Sequence, residues 1–364
     1  MPDPQTLLLV GAGHTHLHLL RHADRLRAAG WRVELLAPRW FDYSGVGSAV
    51  ATGALPLEAG RLDVAGLAAR GGVRHHVDTL AGLDPRARVA TTATGQRLGY
   101  DVVSIGIGSV TSDLGVPVGA GVIGVKPLAG LQTLAGRLPD EGAAVVTVVG
   151  AGPSGLELAA QLSVRAGVRG VRLVDGGDVV GPSLPTGARR HVERVLARRG
   201  VEVLLAARVE RLDPISVTLG DGRVLEHDLA VLAGGLAAPP LVADLGLGDE
   251  RGVPVRATLQ HVEHDDVYAV GDCARFTPRP LPRIGVHGVR QAPVLLAALE
   301  ARGRGKDANQ HVYRPREHFL SVLDLGAGHA RATRARWWWG GRGALMLKRR
   351  IDRRWIESYR AAGG

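Results

Sequence analysis

Two glycine-rich loops, each set between a short apolar strand and a helix, constrain this chain of 364 residues more than any other feature. The first covers residues 11–16 (GAGHTH) and follows the apolar run at 6–10. The second covers residues 150–155 (GAGPSG) and follows the apolar run at 144–149. The order strand, glycine turn, helix, strand is that of the βαβ unit that holds a dinucleotide pyrophosphate. The pattern predicts an α/β protein with two nucleotide-binding units.

The second loop carries the complete three-glycine pattern, which permits the tight turn, the approach of the pyrophosphate and close helix–strand packing. Asp175 ends the following strand, where its carboxylate can accept a hydrogen bond from a ribose hydroxyl and repel a 2′-phosphate. NADH is therefore expected rather than NADPH, although the nearby Arg172 weakens this preference. A glycine turn without a ligand is the alternative. The predicted NAD contacts here are Gly150, Gly152, Pro153, Ser154, Gly155 and Asp175.

The first loop is less complete, because His16 stands where the third glycine is expected. The next strand also ends without an acid, and Arg39 is expected to meet the adenosine phosphate or to stack near the adenine. A purely structural turn is the alternative. Farther along, Gly271 and Asp272 end another strand, and a strand-end aspartate can accept a hydrogen bond from a ribityl hydroxyl of FAD. The two parts together predict an FAD site.

Several histidines lie close in sequence, but a metal site is not predicted. His14 and His18 would share a helical face, which is a known ligand spacing. However, His14 and His16 sit where phosphate must approach, and no acid or cysteine is near them in sequence. His75 and His76 form a second such group, and no metal site is predicted there either.

The net charge of +10 is carried almost wholly by arginine, but aromatic residues make up only 4% and no nucleic-acid motif is present, so nucleic acid is not an expected partner. Much of the positive charge lies in the C-terminal tail. There Leu347, Ile351, Trp355 and Tyr359 recur at a spacing of four and predict one apolar helical face. Basic residues dominate the rest of this stretch; they are Lys348, Arg349, Arg350, Arg353 and Arg354.

That basic amphipathic stretch, together with the tryptophans at 337–339, suits a helix lying on an anionic membrane. The alternative is a helix docked over the protein's own flavin pocket with its arginines in solvent. No apolar run is long enough to span a bilayer, and no signal peptide is expected from the first residues. A cytoplasmic location is expected, with attachment to the inner face of the cytoplasmic membrane as the variant that the tail suggests.

The motifs, taken in order, resemble the two-dinucleotide flavoprotein superfamily that contains glutathione reductase and type II NADH:quinone oxidoreductases. The resemblance is carried by both loops, by the strand ends at Gly108 and Gly235, and by YAVGD at 268–272. A closer resemblance is to the NADH dehydrogenase-like flavoproteins that also occur fused in front of selenide, water dikinase. It rests on GAGHTHL at 11–17, YSG at 43–45, GVKP at 124–127, VRQAPV at 289–294 and LGAG at 325–328, and continues through 347–353.

The resemblance implies two Rossmann-like domains, with FAD as cofactor and NAD(H) as substrate. The FAD-binding domain would comprise residues 1–117 and 241–310, with the NAD(P)H-binding domain inserted at 118–240. Residues 311–364 would form a C-terminal α/β cap or membrane-surface region. Gly235 would join the NAD contacts. The implied FAD contacts are Gly11, Gly13, His14, Thr15, His16, Arg39, Ser44, Gly45, Gly108, Gly271, Asp272 and Gln291.

The resemblance also implies the surroundings of the flavin ring. A helix starting near Val289 would point its positive end at the flavin pyrimidine, and Tyr43 to Gly45 would lie near the isoalloxazine. Glu157 would face the edge where flavin and nicotinamide meet. A solvated first-turn acid is the alternative for Glu157.

The chain has a single cysteine, Cys273, which is expected to pack beside the ribityl chain. Disulfide reductases of this fold and sulfide:quinone reductases depend on cysteine pairs, so neither chemistry is expected. The expected function is an FAD-dependent NAD(P)H dehydrogenase that passes electrons to a quinone-like or other small acceptor. A redox-linked regulatory or binding flavoprotein with little turnover is the alternative, and a relative that has lost FAD is a third. The sequence leaves open the acceptor, the oligomeric state and any link to selenium metabolism.

Overall fold

The computed structural model describes residues 4–360, which form an α/β protein built on two parallel sheets. The helices are α1 (His14–Arg21), α2 (Ala23–Ala28), α3 (Gly47–Ala51), α4 (Val64–Arg70), α5 (Ala129–Arg137), α6 (Pro153–Leu162), α7 (Thr186–Arg198), α8 (Leu241–Asp244), α9 (Gly285–Gly303) and α10 (Arg342–Arg360).

Strands precede and separate these helices along the chain. They are β1 (Gln5–Val10), β2 (Trp31–Leu36), β3 (Trp40–Asp42), β4 (Arg61–Asp63), β5 (Arg74–His76), β6 (Leu80–Asp84), β7 (Val89–Thr92), β8 (Arg97–Gly99), β9 (Val102–Ile105), β10 (Val110–Thr111), β11 (Ile123–Gly124), β12 (Ala144–Val149), β13 (Val168–Val174), β14 (Glu202–Leu204), β15 (Val209–Leu212), β16 (Ser216–Leu219), β17 (Val224–Glu226), β18 (Leu229–Leu232), β19 (Leu236–Ala237), β20 (Val253–Val255), β21 (Val267–Ala269), β22 (Ala274–Phe276), β23 (Ser321–Asp324), β24 (Ala330–Arg334) and β25 (Trp337–Gly341).

The first parallel sheet carries the first glycine loop and draws its strands from both sides of the second loop in sequence. Its order is β21-β9-β1-β2-β5, with β1 in the middle. Leu7, Leu8 and Leu9 are fully buried, because both faces of a parallel sheet are covered. This explains why β1 reads as a continuous apolar run rather than as an alternating one.

The second parallel sheet repeats this arrangement around the second loop. Its order is β11-β18-β12-β13-β14, so β12 occupies the position that β1 has in the first sheet. In both sheets the strand before the loop lies between its successor and a strand from much later in the chain. Ligands of open α/β sheets bind at this point, outside the carboxyl ends of the strands. The fold class is confirmed, while the domain boundaries at 117/118, 240/241 and 310/311 stay a prediction.

The C-terminal region is an antiparallel sheet of β23, β24 and β25 with α10 packed on one face. Ala332 and Leu345 belong to the small core between the sheet and α10. The opposite face meets the second parallel-sheet unit, where the side-chain amide of Gln161 donates to the Asp324 carbonyl at 3.0 Å. No helix within residues 4–360 has the length and apolar character needed to cross a bilayer.

The C-terminal helix forms as predicted, and the face that it buries differs from the face marked by Leu347, Ile351, Trp355 and Tyr359. Ile351 is exposed, whereas Asp352 and Ile356 are buried. The Lys348 side chain is only 12% exposed. A spacing of four advances about 400°, so each step drifts about 40° around a helix of 3.6 residues per turn. The buried face therefore follows mixed steps of three and four; it comprises Leu345, Lys348, Asp352, Ile356 and Tyr359.

Candidate functional site

The first loop places backbone donors at the carboxyl end of β1. Gly11 has φ +84°, and a Cβ there would lie 2.6 Å from the Gly106 carbonyl oxygen, so this position requires glycine. Gly13 is the N-cap of α1 and forms no side-chain cap bond. The first N–H groups of α1 are therefore left for a ligand, and the helix dipole favours an anionic one.

His16 fills the place of the missing third glycine. One ring nitrogen lies 2.6 Å from the Gly11 carbonyl oxygen and the other lies 2.8 Å from the Ser104 hydroxyl. The side chain is fully buried. Both nitrogens are thus engaged by the protein, and the imidazole joins the loop to β9. His16 also lines the cavity described below, and its contact with FAD stays a prediction.

His14 and Thr15 lie at the start of α1, beside the N-terminus of α9. The Thr15 hydroxyl donates to the Gly288 carbonyl at 2.7 Å, which fixes the two helices together. Burial, with a smaller contribution from Lys126, lowers the pKa of His14 to about 4. His14 is therefore neutral at physiological pH. Its ring contacts an aromatic cluster of Phe41, Tyr43 and Trp355.

A second group of predicted residues meets this loop from the end of β21. Gly271 has φ +68°, and its N–H donates to the Gln291 side chain at 2.7 Å. The Asp272 carboxylate accepts from the Ser109 hydroxyl at 2.9 Å. Gly108, with φ +77°, has open space on the side where a Cβ would stand. Gln291 therefore orients Gly271, while Asp272 keeps carboxylate lone pairs free for a further donor.

These elements enclose a cavity of about 280 Å³. Helix α9 starts at Gly285, one turn before the predicted Val289, and its first turn lines the cavity. Ser154 of the second loop also lines it, so the two loops face one another across this space. The other predicted residues on the wall are Gly13, His14, Thr15, His16, Ser44, Gly108, Gly271 and Asp272.

Sequence reasoning missed Lys126 and Arg283 as site residues. Lys126 lines the cavity between His14 and Asp272, and burial lowers the pKa of its ammonium. Arg283 donates to the carbonyls of Asp272 at 3.0 Å and Leu236 at 3.1 Å, tying the two units together. A signal for Lys126 was available, because lysine occurs only at 126, 306 and 348 in an arginine-rich chain.

Arg39 and Gly45 are not among the residues that line this cavity. The Arg39 side chain is 59% exposed and lies 3.8 Å from Asp63. At Gly45 a Cβ would overlap the ring of Tyr43, so only glycine fits beneath this tyrosine. The Gly45 carbonyl accepts a hydrogen bond from Lys348.

The second loop is closed tightly against its strand. A Cβ at Gly155 would overlap the Gly150 carbonyl oxygen, which explains the third glycine. Gly152 is the N-cap of α6, Pro153 follows it in the first turn, and no atom stands where a Gly152 Cβ would be. The loop therefore presents an open helix N-terminus of the kind that binds phosphate. At the facing strand end, Gly235 has φ +137°.

Asp175 lies where β13 ends, as predicted, and its carboxylate is anchored by backbone. It accepts from the N–H of Ala151 at 2.5 Å and from the N–H of Gly177 at 2.7 Å. Arg172 is directed elsewhere, since it donates to Glu202 at 2.8 Å. The second loop and its acid are thus one unit, and Arg172 is engaged away from it.

Glu157 belongs to a group of charged side chains between α6 and the C-terminal region. It accepts from the Asp324 N–H at 2.6 Å and from the Ser48 hydroxyl at 3.4 Å. Lys348 pairs with Asp352 at 3.0 Å. Burial raises the pKa of Glu157 to about 7, against the opposing charge of Lys348. Glu157 is therefore not a solvated first-turn acid.

A cleft of about 780 Å³ opens where the two sheets and the C-terminal region meet. Lys348 and Asp352 form part of its wall and also line a neighbouring cavity of about 430 Å³. The cleft is further lined by Tyr43 and Gly45 of the first unit, Pro153 and Leu184 of the second, and Ser321 and Ile351 of the C-terminal region.

The sole cysteine lies under this assembly. Cys273 is fully buried, and its thiol contacts the carbonyl of Val270 at 3.3 Å. Burial raises the pKa of the thiol to about 11, so it stays protonated at neutral pH. A protonated, buried thiol is a poor nucleophile.

A family model for pyridine nucleotide-disulphide oxidoreductases matches residues 5–294. The chain belongs to this family. Family membership gives FAD as the cofactor and NAD(H) as the substrate, and it agrees with the two facing loops.

Two groups of curated relatives are similar to parts of the chain. A NADH dehydrogenase-like protein of Mycobacterium tuberculosis is 30% identical over 237 residues, covering 60% of this chain and 59% of that protein. A nitric oxide reductase FlRd-NAD(+) reductase of Pectobacterium atrosepticum is 36% identical over 165 residues, covering 43% of each chain. The chain thus aligns with about half of the length of these relatives. The finer resemblance to flavoproteins fused to selenide, water dikinase stays a prediction.

Solved structures share the fold over nearly the whole chain. NDH2 from Plasmodium falciparum, solved with NADH, superposes with a TM-score of 0.86 at 12% identity, covering 99% of this chain and 96% of that one. The sulfide:quinone oxidoreductase of Aquifex aeolicus superposes with a TM-score of 0.82 at 17% identity, covering 98% and 92%. At these identities the likeness concerns the fold.

Proposed function

We propose that this protein is an NADH dehydrogenase that passes electrons through FAD to a quinone-like acceptor without a redox disulfide. The observation that carries the proposal is that Cys273, the one cysteine in the chain, is fully buried next to Asp272, which lines the cavity that the two nucleotide loops share. Electrons that reach this site cannot reduce a disulfide, because the chain has no cysteine pair. They must therefore be transferred to a molecule that enters the cleft.

The residues around the first loop fit FAD. The left-handed glycines at 108 and 271 leave backbone surface open, and Asp272 offers carboxylate lone pairs. Lys126 adds a positive charge at the inner end of the cavity. FAD, when bound, supplies the group that accepts a hydride and returns electrons to a second substrate. The chain's own residues hold and orient that group.

The second loop is proposed to hold NADH, with a preference over NADPH. Asp175 is kept at the strand end by two backbone N–H donors, so its negative charge stays near the expected ribose. A 2′-phosphate at that position would be repelled. Arg172, which could have offset this charge, is paired with Glu202. The structure thereby strengthens the reason for expecting NADH.

Glu157 is proposed to supply a proton. A quinone takes up two electrons and two protons on full reduction, and a hydride from NADH accounts for both electrons and one proton. The second proton must come from the protein or solvent. With a pKa of about 7, Glu157 holds a proton in neutral solution and can release it. Lys348 and Asp352 connect this region to the neighbouring cavity, from which the proton can be replaced.

The acceptor is proposed to enter from a membrane surface. Exposed apolar side chains lie on the C-terminal region, which forms part of the cleft wall: Trp337 is 69% exposed, Met346 71% and Ile351 42%. They stand among exposed arginines of α10, a combination that favours an anionic lipid interface. A quinone dissolved in the membrane would then reach the cleft past Ile351, which lines it.

Two measurements on the purified protein test this proposal. Steady-state oxidation of NADH should be rapid with menadione and should require bound FAD. Flotation with anionic liposomes should carry the protein to the top of the gradient, and Trp337→Glu with Met346→Glu should abolish flotation while leaving menadione reduction intact. Turnover with menadione but no flotation would remove the membrane acceptor. A flavin that NADH does not reduce would instead favour a regulatory or binding flavoprotein.

A further inference from the structure

A chain of buried hydrogen bonds leads from Glu157 to a cavity other than the acceptor cleft. The Ser48 hydroxyl donates to Glu157 Oε2 at 3.4 Å, and the Gln161 side-chain amide donates to Ser48 Oγ at 3.2 Å. Ser48 and Gln161 are both buried. Within residues 4–360, the other donor to Glu157 is the Asp324 N–H at 2.6 Å, a backbone group that does not give up its proton. Ser48 is therefore the side chain through which a hydrogen bond can carry a proton to this carboxylate.

Gln161 fixes the direction in which the Ser48 hydroxyl points. Its side-chain nitrogen also donates to the Asp324 carbonyl at 3.0 Å, and its Oε1 accepts from the Thr52 hydroxyl at 3.0 Å. Because a carbonyl only accepts, the amide atom that faces Asp324 must be the nitrogen, which only donates. Ser48 Oγ thus accepts from Gln161 and directs its own proton toward Glu157. A hydroxyl oxygen has two lone pairs, so one remains for a further donor.

Ser48 lies in the wall of the cavity of about 430 Å³ that adjoins the cleft. Exposed arginines of α10 line another side of this cavity, so it opens to solvent; they are Arg349, Arg353 and Arg360. Lys348 and Asp352 belong to the walls of both the cavity and the cleft, whereas Ser48 belongs to the wall of the cavity. A proton from solvent can therefore reach Ser48 without crossing the space in which an acceptor would bind.

The charged groups that act on Glu157 lie on α10 and β23. Lys348 opposes the effect of burial on its pKa, whereas the charges of Asp324 and Asp352 add to that effect. The Lys348 ammonium is itself engaged by Asp352 at 3.0 Å and by the Gly45 carbonyl. Lys348 therefore stabilises the Glu157 carboxylate through space, and the hydrogen-bonded contact is left to Ser48.

We propose that Ser48 is the positioning residue that returns a proton to Glu157 after each turnover, from the cavity of about 430 Å³. The inference rests on the proposed function, in which Glu157 gives one proton to the acceptor. As a proton from a hydronium ion in the cavity binds Ser48 Oγ, the Ser48 hydroxyl proton moves to Glu157 Oε2, so the serine stays neutral. No electron moves in this step, and one proton enters for each acceptor reduced. The acceptor and this proton thus approach from different sides.

The test compares single and repeated turnovers of the FAD-loaded full chain with menadione at pH 6, where Glu157 starts protonated because its pKa is about 7. In a single turnover Ser48→Ala should reoxidise the NADH-reduced flavin at the wild-type rate, since the required proton is already on Glu157. In steady state the same variant should be about tenfold slower, because Glu157 is then reprotonated without a fixed carrier. Imidazole, a small acid that the cavity can admit, should restore the steady-state rate.

Ser163→Ala is the matched control. Ser163 is the C-cap of α6, and its hydroxyl donates to the Ala160 carbonyl at 2.8 Å, so both rates should stay at the wild-type values. Ser48→Ala is expected to fold and to retain FAD, because Gln161 keeps the Asp324 carbonyl as an acceptor. A wild-type steady-state rate in Ser48→Ala would overturn the relay. Equal slowing of both rates without relief by imidazole would also overturn it.

Glu157→Gln separates this inference from the proposed function. Slow turnover in Glu157→Gln together with normal turnover in Ser48→Ala would overturn the relay alone. Normal turnover in Glu157→Gln would instead remove Glu157 as the proton donor. A flavin that NADH does not reduce would remove the dehydrogenase itself.

Discussion

The two glycine loops solve the same packing problem in opposite ways. In the second loop Gly155 removes the side chain, so α6 lies directly against the end of β12. In the first loop His16 inserts a side chain and satisfies both of its nitrogens within the protein. The first loop is therefore supported by hydrogen bonds of a histidine side chain, where the second loop is supported by direct packing of its helix on its strand. The missing glycine is not a defect in the first loop.

The loops also differ in how the following strand ends. Asp175 holds the second loop through the Ala151 N–H. At the first, His75 bonds to the Ala37 carbonyl at 2.8 Å, and no acid is needed to close the turn. The comparison teaches that an incomplete sequence fingerprint can mark a complete site, provided the absent contacts are replaced within the fold.

The largest effect should come from crowding the second loop. Gly155→Val would force α6 away from the Gly150 carbonyl, so we expect a loss of stability of about 3 kcal/mol or more. The reduction of bound FAD by NADH should slow by at least on the order of 10²-fold, because the helix N-terminus is displaced. FAD content measured by absorbance is the control, and it should stay near that of the wild type. Normal NADH kinetics would show that the close packing is not required.

Removing the support of the first loop should cost nearly as much. His16→Ala leaves the Gly11 carbonyl and the Ser104 hydroxyl without a partner and opens a cavity, so a loss of about 3 kcal/mol is expected in urea unfolding. His16→Gln can keep one of the two hydrogen bonds and should fall between. If alanine were tolerated without loss, His16 would not replace the third glycine.

Each loop has a third glycine position, held by His16 in the first loop and by Gly155 in the second. The residues two positions after it extend the comparison to function. They are His18, which packs on His22, and Glu157, which accepts a hydrogen bond from the Asp324 N–H of the C-terminal region. Because the pKa of Glu157 is raised to about 7, its proton is present below that pH and lost as pH rises. Wild-type kcat with menadione should decline above pH 7. Glu157→Gln should lower kcat at pH 6 on the order of 10²-fold and remove the decline.

His18→Gln is the matched control for that variant and should leave the pH profile unchanged. A Glu157→Gln profile with the wild-type shape would mean that another group supplies the proton.

The smallest effect concerns the strand-end acid. Asp175→Asn keeps an acceptor for one backbone N–H but removes the charge that opposes a 2′-phosphate. The ratio of kcat/KM for NADPH to that for NADH should rise about tenfold. Arg172→Met should leave this ratio alone, since Arg172 is bound to Glu202. An unchanged ratio in Asp175→Asn would refute the proposed role of the carboxylate.

Local patterns made much of this architecture predictable. Each loop is a short segment whose glycines, apolar strand and helix lie next to one another in sequence, and Asp175 and Asp272 follow their strands directly. Groups assembled by long-range packing were not predictable in this way. The contacts of Lys126 with the His14 region and of Lys348 with Gly45 join segments that no short pattern links.

The tail shows a second limit. Its apolar residues suggested a helix correctly, but a spacing of four does not fix which face is buried, because it drifts around the helix. The buried face contains Lys348 and Asp352, because both charges have partners in the rest of the protein. Tyr43 of the first unit donates to Asp352, and the negative charge of Glu157 in the second unit acts on Lys348.

The central claim is that electrons pass from NADH through the flavin to an external acceptor with no cysteine relay, and an anaerobic titration with NADH tests it most directly. We expect one equivalent of NADH per FAD to bleach the flavin absorption band completely, and menadione to restore it in full. Cys273→Ser should behave identically. A flavin that does not bleach, or uptake of a second equivalent of NADH that disappears in Cys273→Ser, would contradict the account.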